Sequence, residues 1–404
     1  MAARFYLGLL AILTFFTNLI FANFAYVANL ADDTVFVIDT STNNVIATLT
    51  VGLDPSGVAI TPNGQFAYVT NSSAANVSVI DTPTNHVIAT VSVGDDPVAV
   101  AIAPNGQFAY VANFGSDNVS VINISTNRVI ATIPVGLNPN AIAITSNGKL
   151  AYVVNFIAAS VSVIDTTTNT VTATIPVGNN PFGVAITPNG QFAYVTNSTS
   201  SNVSVIDTST NHIIATISVG VAPFGIAITP NGQFAYVANN TSVSVINTST
   251  NTVIATVPAS FRPNEIAITP DGQFAYVTIS TDEVLVIDTA TNMITATISA
   301  GDHPFGIAIT PTPLPPKNLT GRQKKNDFGV VYELFNKLSW ETNTSGATIA
   351  GYIVFRNGVK IATLSPFALG FEDHDIKKHT SNTYSIISFD AGGIQSTAAT
   401  VTIK

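Results

Sequence analysis

The sequence predicts an all-β chain: a seven-bladed β-propeller of four-stranded blades, its first blade closed three-plus-one by N- and C-terminal strands, followed by a small β-sandwich. Three observations carry this. Tyrosine recurs at Tyr26, Tyr68, Tyr110, Tyr152, Tyr194, Tyr236 and Tyr276, at intervals of 42 residues five times and then 40. Each period holds four short β-type runs and no helical periodicity, which is the pattern of a propeller blade. The array also begins and ends inside a repeat, with complementary pieces at its two ends.

One period resolves into Gly57 to Thr61, Phe66 to Asn71, Val77 to Asp81 and Val87 to Val91. Pro62-Asn63-Gly64 supplies the first hairpin turn, where glycine accepts positive φ, and residues 81–85 supply the third, whose side chains can bond nearby backbone. The Gly57 run is expected innermost, because strands crowd near the axis and Gly57 and Ala59 leave room there, while Val58 and Ile60 fill the gap to the other neighbouring blade. Both faces of every blade are covered by neighbours, so the strands need apolar or small residues on both sides.

Residues 24–51 give three strands with no inner strand before them, and residues 304–311 give an inner strand with no outer strands after it. Three plus one completes the seventh blade and removes two exposed sheet edges.

Tyr68-Val69-Thr70-Asn71 and Tyr194-Val195-Thr196-Asn197 carry the signature of the YVTN β-propeller repeat family, which residues 24–311 resemble. The repeat departs from the signature at Ala112, Val154, Ala238 and Ile279. The resemblance implies a secreted or cell-surface propeller of the surface-layer or bacterial envelope kind, with related propellers among lactonases and other enzymes.

Charge is scarce and unevenly divided. Residues 23–312 hold 16 Asp and Glu against three basic residues, Arg128, Lys149 and Arg262. Phosphate binding needs Lys and Arg, so nucleic acid is not an expected partner. The absence of cysteine excludes disulfides, thiolate zinc sites and cysteine nucleophiles. Residues 1–22, a short positive start and an apolar run, read as a secretory signal peptide cleaved after Ala22, leaving no transmembrane span and placing the protein outside the cell or in the periplasm. An uncleaved anchor is the rival reading.

The propeller is assigned to residues 23–311. Residues 312–316 form a Pro-rich linker, and residues 317–404 alternate like a small sandwich. The last segment resembles a fibronectin type III domain, with Trp340 as the buried core aromatic and Tyr384 as the corner tyrosine. Residues 376–383 depart from that family's usual approach to the tyrosine.

Ligands of propellers bind at the channel mouth, in the loops that lead into the inner strands. Those loops supply the candidate rim Asp54, Asp95, Asp96, Arg262, Glu265, Asp302 and His303, and neighbouring loops add Asp32, Asp33, Asp117, Asp282 and Glu283. The face is expected to be acidic, either a rim for a low-affinity divalent cation, a basic partner or a sugar, or simply a solvated surface. No calcium-loop motif is present and no cofactor is expected. Arg262, Glu265 and His303 break a nearly uniform repeat, which is how a duplicated scaffold acquires an asymmetric site. His86 and His212 share a repeat position far from the axis.

The sequence favours a non-catalytic binding scaffold for a protein or polysaccharide at the cell surface. The alternatives are a channel-mouth enzyme of lactonase or lyase type and a structural surface-layer component. The enzyme reading expects Arg262, Glu265, Asp302 and His303 to converge on one small pocket.

Overall fold

The structure is a computed structural model that describes residues 23–259, 262–312, 316–327, 332–342, 349–374, 376, 380–389, 395–396 and 398–403. The signal-peptide expectation for residues 1–22 therefore lies outside the described residues, as do Pro313 to Pro315 of the linker.

Seven four-stranded antiparallel sheets form the propeller. Blade 1 holds Phe24–Asn29, Thr34–Asp39 and Asn44–Thr50, and its innermost strand is Pro304–Ile309 from the far end of the array. Blades 2 to 7 run over 55–92, 97–134, 139–176, 181–218, 226–258 and 263–299. The closing pairing matches Ala25 with Ile309, Tyr26 with Ala308 and Val27 with Ile307, so the three-plus-one closure is borne out.

Burial peaks in the middle of each blade, with the inner strand part-open to the channel and the outermost strand facing solvent. The second and third strands are buried almost throughout, because other blades cover both faces. The outermost strands turn Ile46, Ile88 and Ile130 half out to solvent. Val58 and Ile60 pack on the cluster around Tyr26 and Val69, whereas Ala59 packs on the next, around Tyr68 and Val111, so each inner strand serves two interfaces. Gly64 has φ of 73°, the left-handed value its hairpin turn needs.

The repeated tyrosine links one blade to the next. Tyr68 donates its hydroxyl to Asn127 Oδ1 at 2.7 Å, and Tyr276 of blade 7 reaches Asn43 of blade 1 at 2.6 Å, which ties the ring across the chain's ends. Asn43 and Asn127 both sit at positive φ in the outer turn, where asparagine is better tolerated than most residues. Tyr276→Phe should cost about 1 kcal/mol in urea denaturation; an unchanged midpoint would mean that this tie adds nothing to closure.

Inner strands start at the proline that precedes the predicted run, as at Pro55. Blade 6 is the exception, with Ile226–Ile228 alone pairing regularly. Phe224 N donates instead to Ala238 O, and Gly225 N crosses to Asn264 O of blade 7 at 2.8 Å.

Beyond the propeller, a three-stranded sheet (Lys317–Asp327, Tyr332–Glu341, Gly370–Asp373) and a four-stranded sheet (Val359–Leu364, Gly351–Arg356, Asn382–Phe389, Ala399–Ile403) share one core. Trp340 lies in it against Tyr352, with ring centroids 5.5 Å apart. Tyr384 is fully buried, donates its hydroxyl to Asp373 Oδ2 at 2.6 Å and accepts from Asn336 Nδ2 at 2.9 Å. Arg356 grips the same carboxylate through both oxygens.

Candidate functional site

The channel mouth is built from equivalent positions of seven inner strands. The residue before each strand's proline is Asp54, Asp96, Asn138, Asn180, Ala222, Arg262 or His303, and in all seven φ lies between 49° and 55°. Among non-glycine residues, Asp and Asn are enriched in that conformation. Much of the rim's acidity is therefore a backbone requirement. Arg262 and His303 break the repeat at this same position.

Rim carboxylates are also occupied in holding loops together. Asp33 Oδ1 accepts from Asp54 N at 2.9 Å, Asp117 Oδ1 from Asn138 N at 2.7 Å, Asp282 Oδ1 from His303 N at 3.2 Å and Asp32 Oδ2 from Asp302 N at 2.7 Å. Asp96 is held above the ordinary carboxylate range, by burial first and by the charge of Asp54 second. Asp282, Asp302 and His303 bring ligand-type atoms within 4.8 Å of one another, but all three are exposed.

The acidic face expected from sequence is only half a face. The mouth loops of blades 7, 1, 2 and 3 carry all of its acids. Those of blades 4, 5 and 6 carry none, and offer Leu137, Phe156, Ile157 and Val221 among Asn, Ser, Thr and Ala.

Two residues past that proline, the column reads Gly57, Ala99, Ala141, Gly183, Gly225, Glu265 and Gly306. Blades approach closely here: a Cβ on Gly183 would stand 2.7 Å from Phe224 O, and one on Gly306 would overlap Ser56 O. Six blades meet this with Gly or Ala, and the seventh places a glutamate. Glu265 fits because its neighbour is Gly225, whose added Cβ would meet Glu265 Oε1 at 2.6 Å.

The Glu265 side chain is enclosed by protein yet keeps partial contact with the channel lumen. Burial pushes its carboxyl from 4.5 up to about 7, opposed by one hydrogen bond from Ile266 N to Oε1 at 3.2 Å. Its own backbone N donates to Thr278 Oγ1 at 3.0 Å, and Thr278 donates to Phe305 O at 2.6 Å, so the residue is held between blades 7 and 1.

Glu265 lines a cavity of about 230 Å³ in the channel, together with Phe182, Phe305, Asn140, Ser56 and the small residues of the column. Phe182 links this lining to a wider aromatic cluster. It stands 4.9 Å from Phe224, edge to face, 6.4 Å from Phe305 and 6.5 Å from Phe156, which in turn lies 6.3 Å from Phe114 at the rim. The Arg262 guanidinium carbon lies 5.6 Å from the Phe224 ring centroid, within cation–π range.

Of the four residues expected to converge, the structure brings only Glu265 into the cavity. Arg262 lies over the Phe224 ring, outside the cavity's lining. Asp302 and His303 pair with each other on the outer rim at 3.1 Å, with more than half of each side chain exposed. Asp54, Asp95 and Asp96 remain rim residues. The phenylalanines were missed in the sequence, although the column Ser56, Val98, Asn140, Phe182, Phe224, Asn264 and Phe305 is variable where its neighbours are uniform.

Two family models match parts of the propeller, each over less than half of the chain: a lactonase, 7-bladed β-propeller family over residues 34–134, and a YNCE-like β-propeller family over residues 94–232. No curated protein matches in sequence. Solved structures share the fold. A Kuenenia stuttgartiensis hydrazine synthase chain is 24% identical with a TM-score of 0.61, covering 66% of this chain and 92% of that one. A Desulfotomaculum acetoxidans protein of unknown function is 22% identical with a TM-score of 0.63, covering 71% and 98%. A Bacteroides fragilis protein named as a candidate 6-phosphogluconolactonase is 18% identical with a TM-score of 0.61, covering 71% and 98%. The expectation of a non-catalytic propeller is corrected by the lactonase-family match.

Proposed function

We propose that the propeller is a hydrolase of the lactonase type, with its site in the channel mouth and Glu265 as general base. The observation that carries the reading is a carboxylate at a position otherwise held by Gly or Ala, enclosed in the channel and titrating near 7. A base poised near the working pH is partly ionised and still basic enough to take a proton from water. The lactonase-family match supports the same chemistry.

In this mechanism, water gives its proton to Glu265 as its oxygen adds to the ring carbonyl carbon. Collapse of the adduct breaks the ring carbon–oxygen bond. The leaving alkoxide takes the proton back from Glu265, and the product is a hydroxy acid.

Lactone hydrolysis should be followed by proton release across pH 5–9 in a weakly buffered indicator assay. The rate should rise with pH through about 7, as the carboxylate ionises. Glu265→Gln should lower kcat/KM by about 100-fold or more. Turnover that survives the substitution would remove Glu265 from the reaction.

The YVTN resemblance and residues 1–22 support export to the cell surface or periplasm. The two-sheet segment after residue 316 supports a fibronectin type III-like module, with Tyr384 as its anchoring tyrosine, joined to a propeller of residues 23–311 by the linker 312–316.

A further inference from the structure

We propose that this site takes an uncharged lactone with an apolar body, aryl or short-chain alkyl, and rejects phosphorylated sugar lactones. The inference rests on the hydrolase reading above and adds the substrate class.

Charge gives the first reason. A phosphate dianion is recognised by several charge-assisted hydrogen bonds, usually from Arg or Lys. The described propeller has three basic residues. Arg128 follows the turn into an outermost strand and Lys149 lies in a turn leaving an inner strand, so both are on the face opposite the mouth. Arg262 alone remains, in a loop flanked by that of Asp282 and Glu283, with the acids of blades 1 to 3 beyond. The field at this mouth repels a dianion.

Shape and surface give the second reason. From the cavity outward, Phe182, Phe224 and Phe156 form a continuous ring-to-ring path toward the acid-free loops of blades 4 to 6. There Leu137 and Ile157 are more than half exposed, and Val221 is 71% exposed. A polyhydroxylated sugar would need polar partners along this path. The amides beside it are drawn into holding blades together: Asn264 Nδ2 donates to Pro304 O at 2.9 Å and to Ser280 Oγ at 3.1 Å, and Asn140 Nδ2 gives one of its hydrogens to Phe182 O at 2.9 Å. An apolar body loses nothing there and gains from leaving water. The cavity's roughly 230 Å³ limits the ring to a single or fused one. Glu265 lies at the inner end of this path, where the carbonyl would arrive.

The test uses the full chain and compares dihydrocoumarin and δ-nonalactone with glucono-δ-lactone and 6-phosphoglucono-δ-lactone, by proton release. The two apolar lactones should show kcat/KM at least 100-fold above the phosphorylated one. Phe224→Ala, and more mildly Phe224→Leu, should raise KM for dihydrocoumarin without an equal fall in kcat. Equal or faster turnover of 6-phosphoglucono-δ-lactone would overturn the substrate class while leaving the hydrolase reading intact. Failure to hydrolyse any of the four, with Glu265→Gln indistinguishable from the parent, would overturn both.

Discussion

Replacing Glu265 with Gln should stabilise the propeller by about 3 kcal/mol at pH 8 and leave it nearly unchanged at pH 4. The native carboxyl titrates at about 7 instead of its ordinary 4.5, with burial as the main cause. Between those values the folded chain keeps a proton that the unfolded chain has released. The stability the protonated group contributes is therefore fully present below 4.5 and lost as pH rises through about 7. Glutamine fits a similar volume and has no such transition, so parent and variant should diverge only across this window. For a domain this large, the gap at pH 8 corresponds to roughly 5–10 °C in Tm. Thermal melts at pH 4, 6 and 8 would read it. A constant offset between the two proteins at all three pH values would show that the carboxyl is not desolvated.

This result would also bear on function. A stabilising substitution at a residue needed for turnover is the signature of a site that holds a group at a cost to the fold, and such sites are where perturbed carboxyls gather. The neutral control is Asp165, an exposed turn residue that accepts hydrogen bonds from Thr167 N and Thr168 N. Those bonds hold its carboxyl below the ordinary value, so its effect on stability runs in the opposite direction with pH.

The fold was legible because every blade repeats one solution. A glycine in the first turn, an asparagine in the outer turn, a tyrosine to bridge blades and small residues at the axis each answer a local geometric demand, and repetition makes them visible. The same repetition hid the site. The aspartates of the rim stood out as charges, yet Asp54 and Asp96 occupy a left-handed position that favours Asp and Asn, and other rim carboxylates hold backbone amides. Glu265 drew attention as a repeat breaker, but nothing in a linear reading separates it from His303, which ends on the exposed rim. What separates them is three residues of register. His303 precedes its proline, in the loop, and Glu265 follows its own by two, in the column where blades touch. Phe182 and Phe224 escaped notice because an aromatic in a strand-rich chain reads as core, and only closure of the ring turns that column toward the channel.

Ring closure is where the second large effect is expected. A chain ending at residue 303 should lose more than about 5 kcal/mol relative to one ending at residue 312, well beyond an ordinary substitution. The missing segment supplies the innermost strand of blade 1. Ile307 is 6% exposed and packs with half-buried Ile309 on Val27, Tyr276 and Val286; burial of Ile307 contributes roughly 1.5–3 kcal/mol and that of Ile309 adds a smaller share. The ladder to Ala25, Tyr26 and Val27 goes with them, as does Thr310, whose hydroxyl accepts from Phe24 N at 2.9 Å. Phe24–Asn29 would then be an open edge, free to pair with another chain. Urea denaturation and light scattering of the two chains would read both consequences. Gly306→Ala is the finer probe of the same contact. Its Cβ would overlap Ser56 O, where that of Gly57→Ala would meet Val98 O at 2.7 Å, so the closing glycine should be the more sensitive of the two. Equal losses at the two positions would mean that blades 1 and 2 can part without strain, and that the clasp is no tighter than any other interface in the ring.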